Sequence, residues 1–161
     1  MTDNQLKKAT KYIRKYLETA PEEHITDLIE QVDDINEIPN IMKTIIAVHT
    51  GEIKASKKDI IFKSSAIGTC IAIAAYDAKE KVGALAHTML PGKAPAGEKY
   101  QKKKYAADAI EEIISRMNLM GAKKENIEVC IAGGANILKR KDDTIGLYNL
   151  TSVIEILKEK K

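Results

Sequence analysis

The sequence predicts an α/β protein of the α+β type, in which helices flank a largely antiparallel sheet. Three observations predict this fold. Short apolar runs separated by turn residues fill residues 44–88, as is typical of strands. Two longer stretches, 99–119 and 144–160, carry apolar residues at helical spacing. Residues 1–40 have a helical pattern of their own, so we expect an N-terminal helical extension ahead of a main domain over 41–161.

Two helices are predicted in the N-terminal extension. Residues 4–17 place one apolar stripe on a helix, formed by Leu6, Ala9, Tyr12, Ile13, Tyr16 and Leu17. Pro21 begins a second helix, with Glu22 and Glu23 at the positive end of its dipole, and residues 33–40 form a linker. Such a pair has too little apolar area to fold alone. We expect it to dock on the main domain; self-association and binding of another protein are the alternatives.

Five strands are predicted before the first long helix of the main domain. They cover residues 44–50, 52–55, 60–63, 71–76 and 82–88. Gly51 suggests a bulge between the first two. The turn over residues 77–81 reverses the chain, so the fourth and fifth strands should form an antiparallel pair.

The second half of the chain is predicted to alternate helix, strand and helix. Residues 91–98 contain two Pro and two Gly and form a loop, which is followed by the helix over 99–119. Gly121 suits the end of that helix. A strand over 127–132 precedes the last helix, and its apolar neighbours suggest that Cys130 is a core residue.

Composition excludes several functional classes. The 26 basic and 23 acidic residues leave a net charge of only +3, and the lysine clusters at 99–104 and 139–141 hold one aromatic residue, Tyr100, rather than an interleaved series. We therefore expect no nucleic-acid partner; the clusters are solvated surface or a weak attraction to an acidic partner. With no signal pattern, no apolar run that spans a bilayer and only two cysteines, we expect a cytoplasmic protein with reduced thiols and no membrane insertion.

Cys70 and His87 are the candidate pair for chemistry. A thiol becomes a strong nucleophile when a neighbouring imidazole takes its proton. Cys70 precedes the fourth strand and His87 ends the fifth, so an antiparallel pair brings them close together. The alternative is that Cys70 is a small apolar residue at a strand start. The sequence has neither zinc-ligand spacing nor a phosphate-binding glycine loop, so we expect no metal and no cofactor.

The motifs around this pair resemble the signature of the CheD family, the chemoreceptor glutamine deamidases of bacterial and archaeal chemotaxis. The resemblance covers about residues 45 to 157. It is carried by Gly68-Thr69-Cys70, Tyr76-Asp77, Val82 to Pro91, Lys99-Tyr100, Tyr105 to Asp108, Met120-Gly121-Ala122, Ile131 to Ala135, and Ile145-Gly146 with Asn149. The family fold is a layered α/β sandwich with a largely antiparallel sheet, which agrees with the pattern of predicted elements.

The resemblance implies a function and a set of roles. The reaction would be hydrolysis of glutamine side-chain amides in chemoreceptor cytoplasmic domains, with Cys70 as nucleophile and His87 as base and acid. Ser64 stands where the family places a threonine that orients the histidine. Backbone N–H groups of Gly68 and Thr69 would bind the oxyanion. Weaker substrate or partner contacts are expected at Tyr100, Gly133, Gly134 and Asn149.

Two further functions remain open at this point. The chain could be a regulatory binding module for a CheC-like chemotaxis phosphatase, or a cysteine hydrolase for another amide or ester. Two departures from the family pattern bear on partners. Tyr148 replaces a residue that is often charged, and the chain stops at Lys161, before the strand that usually follows the last helix. A missing strand would leave an open sheet edge.

Overall fold

The computed structural model describes residues 44–160 except Lys99, Leu138 and residues 140–143. The predicted helices of the N-terminal extension and its linker lie outside the described residues. Of the described residues, Thr44, Ile45 and Asp59–Ile61 belong to one compact unit. Ile46–Lys58 and the residues from Phe62 onward belong to a second unit, which holds the candidate site.

The described elements confirm the predicted mixed fold. The strands are β1 (Thr44–Ala47), β2 (Ile53–Ser56), β3 (Ile60–Lys63), β4 (Ile71–Asp77), β5 (Val82–Thr88) and β6 (Ile127–Gly133). The α-helices are α1 (Ala106–Leu119) and α2 (Ile145–Glu159), with short 3₁₀ turns at Lys102–Lys104 and Lys124–Asn126. Four strands form one sheet in the order β2-β5-β4-β6, and each neighbouring pair is antiparallel. β1 pairs separately with β3.

The β4–β5 hairpin has the register that the sequence predicts. Its ends pair Ile71 with Thr88 and Asp77 with Val82. The fully buried Asp77 carboxylate fixes the turn, because it accepts hydrogen bonds from the backbone N–H groups of Lys79, Glu80 and Lys123 at 2.9, 3.1 and 3.1 Å. Burial raises the pKa of Asp77, but these donors outweigh burial and the net pKa lies below its usual value. The Asp77 carboxylate therefore stabilises the turn of the hairpin that contains His87.

One face of the four-stranded sheet packs against the two helices. The core contains α1 residues at helical spacing, alternate residues of β4 and β5, and one α2 residue: Ala106, Ala109, Ile110, Ile113, Met117, Ile71, Ile73, Ala75, Val82, Ala84, Ala86 and Val153. Arg116 of α1 donates to the carbonyl of Ile53 at 2.6 Å and joins the helix to β2. Because side chains alternate along a strand, Ala72 and His87 lie on the opposite face of the sheet.

Three features differ most from the sequence prediction. β1 ends at Ala47 rather than residue 50, and Gly51 lies in a turn with φ +77° rather than in a bulge. α1 begins at Ala106 rather than at residue 99. The backbone explains the later start, since the N–H groups of Met89 and Leu90 both donate to the carbonyl of Lys104 and hold that segment beside the end of β5.

The prediction that Cys130 is a core residue was wrong. Cys130 is exposed, and it pairs with the equally exposed Ala74. β6 is an edge strand of this sheet, and among the described residues none covers the face that Cys130 occupies. An apolar run identifies a strand but not whether both of its faces are covered.

Candidate active site

Both backbone groups of His87, the N–H and the carbonyl, are hydrogen-bonded to the segment that leads into β2. The N–H of Gly51 donates to the carbonyl of His87 at 2.7 Å, and the N–H of His87 donates to the carbonyl of Glu52 at 3.2 Å. These bonds extend the β2–β5 pairing to the end of β5. The side chain is 1% exposed, so its position is set by packing as well as by backbone pairing.

Ser64 makes the contact with His87 that the family resemblance predicts. Its Oγ lies 3.0 Å from His87 Nδ1, and it donates to the carbonyl of Val48 at 2.7 Å. Since the single hydroxyl hydrogen is directed at Val48, Ser64 Oγ accepts the hydrogen bond from Nδ1–H. The imidazole is thereby held as the tautomer whose lone pair is on Nε2.

The position of Ser64 follows from the end of β3. Val48 N–H donates to the carbonyl of Lys63 at 2.8 Å, so the residue after Lys63 is brought beside the carbonyl of Val48. A serine there can reach both Val48 and His87 with one oxygen atom. The hydroxyl is therefore positioned by strand pairing rather than by the loop that follows it.

Thr50 is a site residue that the sequence analysis did not identify. Its Oγ1 lies 3.3 Å from His87 Nε2. It stands in the turn that leads from β1 to β2, and the same turn carries the Gly51 bond to the His87 carbonyl. The strand order could have identified it, because whatever precedes β2 must lie beside the end of β5.

The segment that ends at Cys70, residues 65–70, is called the Cys70 loop. Three successive carbonyl groups of this loop accept hydrogen bonds from other parts of the chain. Gly68 O accepts from Ala135 N–H at 3.0 Å, Thr69 O from Asn149 Nδ2 at 3.0 Å, and Cys70 O from Gly134 N–H at 2.9 Å. Asn149 is 2% exposed and also donates to the carbonyl of Met89 at 3.1 Å. The β6–α2 turn and the first turn of α2 thus hold the loop that carries the thiol.

Gly133 supports the same loop through its lack of a side chain. Its φ is +125°, and a Cβ there would overlap the carbonyl oxygen of Cys70. The residues for which weak substrate or partner contacts were predicted, Gly133, Gly134 and Asn149, therefore lie against the Cys70 loop. Tyr100, the fourth of that set, is 95% exposed, and no hydrogen bond among the described residues joins it to the loop.

The loop presents backbone donors beside the thiol. Cys70 N–H is engaged with the carbonyl of Ile67 at 2.7 Å. Among the hydrogen bonds of the described residues, none uses the N–H of Gly68 or Thr69. Gly68 has φ +52°, and the two N–H groups remain the predicted oxyanion donors.

Cys70 and His87 come from neighbouring parts of the β4–β5 hairpin. His87 pairs with Ala72, and Cys70 lies directly before β4, two residues from Ala72. Within the described part of the chain, no hydrogen bond joins Cys70 Sγ to the imidazole, whose Nε2 contacts Thr50 instead. The predicted approach of the two groups remains a prediction.

Burial shifts the pKa of both groups toward the neutral form. Burial raises the pKa of the half-buried Cys70 thiol. Burial also lowers the pKa of His87; the carbonyl of Val48 acts in the opposite direction, and the charge of His49 adds to the lowering. Both shifts disfavour a thiolate–imidazolium ion pair and favour an imidazole that can accept a proton.

The described residues provide no metal site and no membrane span. In that part of the chain, no group of three or more His, Cys, Asp and Glu side chains is arranged to hold a metal ion. Neither described helix combines the length and the apolarity needed to cross a bilayer.

Comparison with known proteins gives consistent matches. A family model described as CheD chemotactic sensory transduction matches residues 89–161. A probable chemoreceptor glutamine deamidase CheD of Chlorobium luteolum is 44% identical over 112 residues, which are 70% of this chain and 56% of that protein. This chain therefore spans just over half the length of that relative.

Two further relatives match over more of their length. The chemoreceptor glutamine deamidase CheD of Thermotoga maritima is 36% identical over 118 residues, 73% of each chain. A probable chemoreceptor glutamine deamidase CheD 1 of Methanosarcina acetivorans is 30% identical over 115 residues, covering 71% of this chain and 72% of that protein.

Proposed function

This chain belongs to the CheD family, and we propose that it hydrolyses glutamine side-chain amides of chemoreceptor cytoplasmic domains to glutamate. The names of its relatives support this substrate, and it would place the reaction in the cytoplasm. The structural observation that best supports the proposal is the hydrogen bond between Ser64 Oγ and His87 Nδ1. A base fixed in one tautomer next to a thiol is the arrangement that amide hydrolysis through cysteine requires.

In the first step, Cys70 attacks the amide carbon. His87 Nε2 takes the thiol proton as the S–C bond forms, because the imidazole is neutral and Nδ1 already carries its hydrogen. The amide oxygen becomes an oxyanion. The N–H groups of Gly68 and Thr69 are the available donors, and one such donor typically contributes ~3 kcal/mol to the transition state.

In the second step, the C–N bond breaks. His87 returns its proton to the departing nitrogen, which leaves as ammonia, and a thioester to Cys70 remains. Water then attacks the thioester carbon while His87 accepts a proton from it. The C–S bond breaks, the product is glutamate, and the proton held by His87 returns to the sulfur.

The proposal is tested with purified receptor cytoplasmic domains. We expect wild-type protein to produce the mass change that accompanies replacement of an amide NH₂ by OH at particular glutamines. Cys70→Ser should abolish the change, and Cys130→Ser, at the other and exposed cysteine, should leave it intact. Equal activity of the Cys70→Ser variant would contradict the assignment of the nucleophile.

A second candidate function is binding of a CheC-like chemotaxis phosphatase. Exposed apolar side chains favour a protein contact close to the Cys70 loop: Ile137, Leu147 and Tyr148 are 59%, 61% and 64% exposed. Ile137 lies against Gly68, where its side chain occupies the space of a Cβ. A partner seated on Ile137 would therefore cover the catalytic loop.

This candidate is tested by titrating the phosphatase against wild-type protein and Ile137→Ser. Weaker binding by the variant, with unchanged binding by the control Ile61→Ser at another exposed isoleucine, supports the contact. Equal binding by both variants contradicts it.

A further inference from the structure

The imidazole of His87 has a hydroxyl group at each ring nitrogen, and we infer that Thr50 is a positioning residue that withholds Nε2 from Cys70 until substrate arrives. The inference rests on the proposed roles of Cys70 and His87. It assigns to Thr50 the control of when the two groups meet.

The first step of the argument concerns the protons. Ser64 directs its own hydrogen at the carbonyl of Val48 and so accepts from Nδ1–H. Nε2 then carries only a lone pair, and Thr50 Oγ1 must be the donor in the 3.3 Å contact with it. Cys70 needs the same lone pair to lose its proton, so the hydroxyl and the thiol compete for one acceptor.

The second step concerns how firmly Thr50 is placed. Its turn is fixed to the backbone of His87 by the Gly51 and Glu52 bonds, and the N–H of Glu52 donates to the carbonyl of His49 at 2.8 Å. The backbone of Thr50 is therefore fixed relative to the imidazole, whereas its hydroxyl can turn about χ1. A separation of 3.3 Å is long for a hydrogen bond donated by a hydroxyl, so the contact is weak enough to be displaced.

The third step concerns access. Thr50 is exposed, whereas His87 is buried beneath it. A polypeptide that reaches the Cys70 loop can displace the Thr50 hydroxyl without disturbing Ser64 on the opposite side of the imidazole. Substrate binding would then release Nε2 to the thiol at the moment when the amide is in place.

The experiment measures alkylation of Cys70 by iodoacetamide without any receptor, in a Cys130→Ser background. Thr50→Val removes the hydroxyl but keeps the shape of the side chain, and Thr50→Ser keeps the hydroxyl. We expect valine to raise the alkylation rate at neutral pH about fivefold, which corresponds to one ordinary hydrogen bond, and to move the pH profile to lower pH. Serine should retain the wild-type rate and profile.

Further arms separate this inference from the proposed function. With His87→Ala, the rate should fall, and adding Thr50→Val should change nothing more. A lower or unchanged rate in Thr50→Val alone overturns the inference, because Thr50 would then assist His87 or leave it unaffected. If His87→Ala itself leaves the rate unchanged, the Cys70–His87 pair fails, and the inference fails with it. Thr50→Ala, which also lacks the hydroxyl, should raise the rate as Thr50→Val does. A lowered melting temperature in either variant would instead assign the change to disturbance of the turn.

Discussion

Ser64 illustrates how one side-chain oxygen can determine the chemistry of a neighbouring residue. It connects the carbonyl of Val48 to His87 Nδ1 and so leaves the lone pair on Nε2, the atom proposed as the base. The family resemblance predicted this contact by position alone. The reason for the contact is seen only in the structure. Ser64 donates its hydrogen to the carbonyl of Val48, so its oxygen accepts from His87.

We predict that Ser64→Ala lowers kcat/KM for deamidation about tenfold, the equivalent of ~1.4 kcal/mol, while the melting temperature changes little. Ser64→Thr should keep the wild-type rate, since it retains the hydroxyl and restricts its rotamers. The readouts are a deamidation assay and a thermal melt. A large loss of activity in the threonine variant would mean that the pocket around Ser64 has no room for a methyl group.

A second prediction at this scale concerns pH. Burial lowers the pKa of His87, so the neutral imidazole that must accept the thiol proton persists to more acidic pH than that of an exposed histidine. The acid limb of kcat/KM should therefore have its midpoint below the ordinary histidine pKa of about 6.5. A pH–rate profile with its midpoint above that value would show that the protonated imidazole is stabilised in the free enzyme.

At the scale of elements, the β4–β5 hairpin depends on Asp77 at its turn. The pKa of Asp77 is lowered by backbone donors, so its contribution to stability is present above its unfolded pKa of about 3.9 and is lost as pH falls through the folded pKa. We expect Asp77→Asn to be less stable at neutral pH and to lose less stability than wild type on acidification. Urea unfolding at several pH values measures this difference.

The control for this experiment is Glu128→Gln, which neutralises an exposed carboxylate on β6. It should follow the wild-type pH dependence. If Asp77→Asn also followed it, the three backbone bonds would contribute no charge-dependent stability.

The turn that follows β6 gives a second test at this scale. A Cβ at Gly133 would overlap the carbonyl oxygen of Cys70, so Gly133→Ala should move the catalytic loop and reduce deamidation strongly, with a loss of about 2 kcal/mol or more in stability. Gly97→Ala is the matched control. Gly97 also has a positive φ of +93°, but no atom lies within 4 Å of its Cβ position. Similar losses in both variants would assign the effect to backbone strain alone.

For the whole molecule, local patterns in the sequence were sufficient for the type and order of the described elements. They also placed Cys70 directly before one strand and His87 near the end of the adjacent antiparallel strand, since a short turn leaves one way to pair β4 with β5. Features that depend on pairing between strands far apart in the sequence could not be predicted in the same way. Cys130 was assigned to the core because its neighbours are apolar, but its exposure depends on β6 being an edge strand.

Thr50 was missed for a related reason. Its contact with His87 exists because β2 pairs with β5 across the sheet, 37 residues apart in sequence at this contact. A threonine in a turn carries no signal of such a role. Side chains that act on the base from a distant segment become visible only when the strand order is known.

The order β2-β5-β4-β6 places β5, which carries His87, and β4, which directly follows Cys70, in the interior of the sheet, each with a neighbour on both sides. Fluctuations that open a sheet locally begin at its margins, and the amides of inner strands exchange their hydrogens only when larger units open. Fraying of β6 or β2 would therefore leave the β4–β5 ladder closed. Such fraying would still release the bonds that Gly134 and Ala135 make to the Cys70 loop and that Gly51 makes to His87. On heating, catalytic competence should therefore be lost before the most slowly exchanging amides of the protein open.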